Sequence, residues 1–211
     1  MISVRKVATA ACAVALLAGA TPVMAKEAGD LLVRARAIVV EPDESADITV
    51  IGGDASIDTS VMPELDFTYF FTDNIAAELI LAVTPHDVTA VDTTLGDVPV
   101  GDTTLLPPTL TLQYHFMPRQ QMSPYVGVGV NYTHFFDVDA AGGTVTDLDL
   151  DDSFGLVLQA GIDFALGDRW VVNADVKKVW INTDASLNGG AIEADVDIDP
   201  WIFGLGVGYR F

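Results

Sequence analysis

From Trp201 to Phe211 the chain alternates without a break. Trp201, Phe203, Leu205, Val207, Tyr209 and Phe211 take the odd positions, and Ile202, Gly204, Gly206, Gly208 and Arg210 the even ones. A period of two puts the two sets on opposite faces of a strand. One face is wholly apolar with aromatics at both ends; the other is mostly glycine, a poor surface to offer water but one that lets facing strands approach inside a narrow barrel.

The same alternation recurs upstream. Apolar positions run through Leu31–Val39, Leu65–Phe71, Ile75–Leu81, Leu110–Phe116, Val126–Tyr132, Phe154–Phe164 and Trp170–Val176. That makes eight strands, with long connections around residues 41 to 61, 83 to 105, 133 to 152 and 182 to 200, and short ones near 72 to 74, 117 to 124 and 165 to 169. After residue 25 there is no run of about eighteen apolar residues, so a spanning helix is excluded and a spanning structure has to be a closed barrel. The expected fold is all-β: an eight-stranded antiparallel transmembrane β-barrel with long extracellular loops, short periplasmic turns and both termini on the turn side. Outward aromatics agree. Tyr69, Phe71, Tyr114, Phe116, Phe164, Trp170, Tyr209 and Phe211 fall at turn-side ends, and Tyr132, Phe154, Trp180 and Trp201 at loop-side ends, as two interface girdles.

Composition then separates leader from domain. The chain begins with Arg5 and Lys6, an apolar stretch and the small residues before Lys26, which is the grammar of a cleaved signal peptide over residues 1–25, with the barrel over residues 26–211. An N-terminal anchor is the other reading, but the segment from Val7 to Gly19 is short for a span. Cys12, the only cysteine, lies in this leader without a leucine-led lipoprotein box, so the mature chain has neither disulfide nor thiolate chemistry. Half the residues are hydrophobic, yet 30 acidic residues face 10 basic ones, a formal charge of -20 that argues against nucleic acid as a partner.

Parity also assigns the lumen. Toward the turns it receives the floor charges Arg34, Arg36, Glu78, Asp163, Asp175, Lys177 and Arg210, with Gln113, His115 and Asn173 among them. Toward the loops it receives Ile38, Val40, Met62, Ile80, Leu105, Val157, Val179 and Ile202. An eight-stranded barrel holds side chains or one small ligand, so two readings stand: a cup for a small apolar ligand over a plugged floor, or apolar side chains packed on one another. Glu64 and Asp66 face inward at upper or middle height and fit neither half neatly.

The segments DFTYFFTDNIAAELILAVTPHD from Asp66, LPPTLTLQYHF from Leu106, PYVGVGVNYTHFF from Pro124 and DPWIFGLGVGYRF from Asp199 resemble the OmpW family, which includes the AlkL-type proteins. The resemblance implies a bacterial outer-membrane barrel whose hydrophobic channel takes up small apolar molecules passively and releases them sideways through the wall. It also implies outer-membrane lipid and lipopolysaccharide as surroundings, and the barrel-assembly machinery as a partner through the C-terminal Phe211. Pro107, Pro108 and Pro200 lack backbone donors and either mark an opening or simply begin strands.

No other chemistry is indicated. His86, His115 and His134 are too scattered for a metal pair, and the acidic run from Asp137 departs from the calcium-loop pattern, so it reads as a solvated or lipopolysaccharide-linked loop. No nucleophile motif appears, and neither enzyme activity nor a cofactor is expected. Rival functions are a surface receptor, adhesion or structural barrel without transport, and a small ion-conducting pore.

Overall fold

A computed structural model describes residues 26–211; the expected leader, residues 1–25, lies outside the described residues. The strands are β1 (Leu31–Glu41), β2 (Ser45–Ile48), β3 (Asp54–Ile57), β4 (Ser60–Phe70), β5 (Ile75–Ala82), β6 (Thr84–Thr93), β7 (Gly96–Leu106), β8 (Thr109–His115), β9 (Met122–Ala140), β10 (Leu148–Leu150), β11 (Ser153–Ala165), β12 (Trp170–Val179), β13 (Asn182–Leu187), β14 (Ile192–Asp197) and β15 (Trp201–Arg210). Eight of them close an antiparallel barrel in the order β1-β4-β5-β8-β9-β11-β12-β15, with β15 returning to β1.

Parity sorts the barrel side chains as the alternation requires. In β15 the glycines and Arg210 turn inward while Leu205 is 68% exposed, and in β11 Phe154 is 71% exposed above buried Val157 and Gln159. Such a continuous apolar exterior would be untenable in water and is what a lipid-facing wall needs. Its lower rim carries edge-to-face pairs, Tyr69–Phe71 at 5.4 Å, Tyr114–Phe116 at 5.2 Å and Trp170–Tyr209 at 5.1 Å. At the upper rim Tyr132 donates to Asp152 Oδ2 at 2.6 Å, and the Lys178 ammonium sits 5.2 Å from the Trp201 ring.

The glycine lane of β15 has a specific purpose. β1 lies between β15 and β4 in a register that sets Arg34 opposite Gly208 on one side and Asp66 on the other, and Arg36 opposite Gly206 and Glu64. A methyl at Gly206 would overlap the Ala35 carbonyl oxygen and lie 2.6 Å from Arg36 Cγ; one at Gly208 would lie 2.6 Å from Arg34 Cγ. Bare backbone is what allows both arginines to lie flat across the lumen.

The long connections differ from expectation. They are strands rather than open loops. The hairpin of β6 and β7 continues upward from the barrel and pairs with the upper part of β9, and β3 adds to β6. β10, β13, β14 and β2 form a second sheet of four strands. The acidic run from Asp137 is part of this structure: it ends β9, turns through the Gly142–Val145 bridge and enters β10, with Val145 buried. The cause is a second period-two pattern, in which Ile48, Ala90, Val98, Val100, Leu148, Ala185 and Leu187 turn inward while Asp47, Asp149, Asp184 and Asp195 face out.

Candidate functional site

The lumen has three storeys. The lowest is an ion network. Arg34, fully buried, donates from Nε to Asp66 Oδ1 at 2.7 Å, from Nη2 to Thr68 Oγ1 at 2.7 Å and to Glu78, and from Nη1 to Asp163 Oδ1 at 3.1 Å. Arg36 meets Glu64 at 2.6 Å, Asp66 and Glu78 at 2.9 Å each, and Asp175 at 3.5 Å. Its Nε and Asp66 Oδ2 are held as ion pairs without hydrogen-bond alignment. Lys177 joins Asp175 at 2.7 Å and Glu64 at 3.2 Å. Gln113 and Gln159 donate to Glu78 Oε2 at 2.7 Å each, and Tyr125 donates to Asp175 Oδ2 at 2.9 Å. Buried charges persist only when paired and hydrogen-bonded, and this layer meets that condition across the whole bore.

Beneath it, Lys26 enters from the turn side. Its ammonium lies 2.7 Å from Asp163 Oδ2, 3.0 Å from Ser123 Oγ and 2.9 Å from His115 Nδ1, with the Phe70 ring centroid 5.6 Å away. Its backbone N–H donates to the Pro118 carbonyl at 2.9 Å. Lys26 is thereby a peg in the floor.

Above the network is an apolar cavity of about 40 Å³, lined by Ile38, Val40, Ile80, Leu105, Val179 and Ile202 together with Ile181 and Ile198, over a base of Glu64 and Lys177. A second cavity of about 80 Å³ lies within the extracellular sheets, lined among others by Ile48, Ala90, Val100, Val145, Leu148 and Leu187. His86, Leu105 and Ile198 line both, so the two meet at that waist. Outside, Asp47, Asp149, Asp151, Asp184, Glu193 and Asp195 line an acidic groove on the four-stranded sheet.

Of the residues expected in the apolar half, six line the lower cavity. Val157 is fully buried and packs with Leu105, Phe135 and Val179, whereas Met62 is half-buried on β4 and outside that lining. Of the expected floor charges all but one join the network: Arg210 sits at the rim, with Asp30 at 3.5 Å and the Asp168 carbonyl at 2.6 Å. Glu64 and Asp66, which fitted neither half, are the carboxylates that the β1–β4 register sets against the arginines. Lys26, Tyr125 and Gln159 were not singled out as network members from sequence. Parity on β9 and β11 places the last two inward, but no periodicity reaches Lys26, which precedes β1.

The wall is interrupted at one height. β5–β8 pairing ends at Ile80–Thr109 and resumes in the same register at Thr84–Leu105 between β6 and β7, leaving residues 81–83 opposite residues 106–108 without ladder pairing. Pro107 and Pro108 supply no N–H there. On the other flank, β4–β5 pairing ends at Glu64–Ala82, and residues 61–63 pair only with β1. Toward β9 the seam stays closed, since Tyr132 N–H donates to the Pro108 carbonyl at 3.1 Å and Asn131 Nδ2 to that of Pro107 at 3.2 Å. Pro200 makes no comparable gap. Val179 N–H donates to its carbonyl at 3.2 Å, Asp199 Oδ1 accepts from Ile181 N–H at 3.0 Å, and Asp43 N–H donates to the Ile198 carbonyl at 3.0 Å. Ala82, Thr84 and Pro107, beside the gap, line the lower cavity.

Comparisons with known proteins agree with this architecture. The model of the OmpW family matches residues 27–211. An uncharacterized outer-membrane protein of Sinorhizobium fredii is 44% identical, over 85% of this chain and 79% of its own. Outer membrane protein W of Vibrio cholerae is 39% identical, covering 95% and 98%. The dibenzothiophene metabolism operon protein PahQ of Pseudomonas aeruginosa is 29% identical, with 77% of each chain covered. Among solved structures, the outer membrane protein OprG of Pseudomonas aeruginosa superposes with a TM-score of 0.82 at 36% identity, covering 89% of this chain and 98% of that one.

Proposed function

This chain belongs to the OmpW family of integral bacterial outer-membrane barrels, and from that premise we propose that it is a passive conduit for small hydrophobic molecules. The observation that carries the reading is the stack inside the lumen: two apolar cavities meeting at a waist, above a floor closed by paired charges. An apolar solute entering from the extracellular side gains by leaving water at every step down to the floor, where the ionic layer offers it nothing. Its way out is the interrupted wall beside residues 81–83, where no ladder bonds have to break and lipid lies outside. The name of PahQ ties that relative to an operon for metabolism of dibenzothiophene, an apolar aromatic compound.

Residues Ile38, Val40, Ile80, Leu105, Val179 and Ile202 hold the solute in this reading, and Val157 backs them. Removal of a leader ending near Ala25 leaves Lys26 as the first residue, free to seat in the floor.

Uptake of dibenzothiophene into proteoliposomes, corrected for empty liposomes, tests the proposal. Ile38→Asp, Ile80→Asp or Val179→Asp should reduce the protein-dependent flux at least tenfold. Val83→Cys with Leu106→Cys, which the shared register sets opposite one another, should reduce it when oxidised and restore it when reduced. A wild-type flux equal to that of empty liposomes overturns transport; a flux indifferent to the cross-link overturns lateral release alone.

A further inference from the structure

The two cavities are separated by side chains. Leu105 and Ile198 line both. Above the girdle β7 takes the place that β8 holds below it, between β6 and β9, and Ile198 lies just before β15. In the closed order of eight strands those two places are half-way round the ring from each other. The two side chains nevertheless belong to one buried cluster, together with Phe135, Val157, Val179 and Ile181, so they reach across the bore. Leu105 is opposed to Phe135 in the β7–β9 ladder, which sets those two side chains next to each other, facing Ile198.

The backbones at this height are held on both sides. Leu105 is paired with Thr84 in one ladder and with Phe135 in the other. Ile198 N–H donates to the Ile181 carbonyl at 2.8 Å, and the Ile198 carbonyl accepts from Asp43 N–H at 3.0 Å. His86, the third residue common to both cavities, stands beside Thr103 on the β6–β7 pair, and its Nδ1 donates to the Asp58 carbonyl at 3.0 Å, which ties the ring to the wall. Spreading these backbones would break hydrogen bonds, so the cheaper way to widen the passage is side-chain rotation. Ile198 is β-branched and stiff about χ1, which leaves most of that freedom to Leu105 and Phe135.

We propose that Leu105 and Ile198, with Phe135 beside them, form a constriction that selects apolar molecules by thickness, admitting flat or unbranched hydrocarbons and turning back globular ones. Side chains already fill the interior of an eight-stranded barrel, so whatever passes has to displace them. A flat ring system is one atom thick and passes edge-on when a single side chain changes rotamer. A cage is as wide in one direction as in another, and it needs Leu105, Phe135 and Ile198 to give way together. Between backbones held in place, that demand meets the penalty of an overpacked core. This inference rests on the transport reading and specifies which apolar shapes the conduit takes.

Uptake of naphthalene and of adamantane, a flat and a cage hydrocarbon with the same number of carbons, into proteoliposomes containing the mature chain provides the test, each flux corrected for empty liposomes. The wild type should carry naphthalene about tenfold faster than adamantane. Leu105→Ala with Ile198→Ala clears the two facing side chains and should bring that ratio to within about twofold of one, chiefly by raising the adamantane flux. Ile198→Ala alone, the milder change, should fall between, and unheated electrophoresis gels report whether each variant is folded. A wild-type ratio near or below one overturns the constriction without recourse to any variant, and so does a high ratio that survives the substitutions; naphthalene uptake above empty liposomes leaves the conduit standing in both cases. No uptake of either compound above empty liposomes overturns the conduit, and the constriction with it.

Discussion

Replacing Arg34 by Met puts the floor to a quantitative test. In the native lumen the cations Lys26, Arg34, Arg36 and Lys177 face the carboxylates of Glu64, Asp66, Glu78, Asp163 and Asp175. Arg34 alone engages three of those carboxylates and the Thr68 hydroxyl, and it is fully buried. Its loss leaves five carboxylates facing three cations in a space with little water to screen them. Breaking a buried network by removing one partner costs about 3–5 kcal/mol, most of it the penalty on the charges left behind. The Arg119–Asp73 pair, at 2.8 Å, is the internal control: Arg119 has a side chain 75% exposed, and such pairs contribute about 0–1 kcal/mol. Tryptophan fluorescence during equilibrium urea unfolding from phospholipid vesicles measures both. Arg34→Met should lower the midpoint sharply and Arg119→Met hardly at all. Adding Asp66→Asn to Arg34→Met should recover part of the loss, because it removes one of the stranded charges. Equal, small shifts for the two arginines would refute the argument, since they would mean that water screens the lumen as it does the surface.

Lys26→Ala withdraws the peg and should raise single-channel conductance in planar bilayers above the wild-type background; unchanged conductance would show that the arginine layer seals the bore unaided. Gly206→Val places methyls against the Ala35 carbonyl oxygen and Arg36, with an expected loss of at least about 1–3 kcal/mol, read as a smaller folded fraction on unheated electrophoresis gels. Leu158, midway between the girdle residues Phe154 and Phe164 on β11, should tolerate Ala, whereas Leu158→Arg should cost about 2–4 kcal/mol in the same urea titration as a lipid-facing charge near mid-membrane.

The extracellular storey shows why part of the site escaped a reading of the chain. Leu148, Asp149, Leu150 and Asp151 alternate as plainly as any barrel strand, yet the density of aspartates from Asp137 onward made the stretch look like a solvated loop. Short strands of three to six residues, such as β10 and β2, offer too few periods to stand out, and β2 is held where its pairing with β14 continues the β1–β15 register. Thr103 and His86 lie apart in sequence, and only their cross-strand pairing sets them beside one another.

Alternation, taken with the lengths of the connections and the lack of an apolar run long enough for a spanning helix, determined the closed barrel, its two aromatic girdles, its orientation and which side chains face in, because a strand turns successive residues to opposite sides whatever its partners are. Tertiary structure decided what those inward residues do. Register chose Asp66 and Glu64 as partners for Arg34 and Arg36, brought Lys26 under Asp163, and left residues 81–83 unpaired with residues 106–108. Parity is a property of each strand by itself, whereas register, closure and the height of a gap belong to pairs of strands that meet only once the chain has folded.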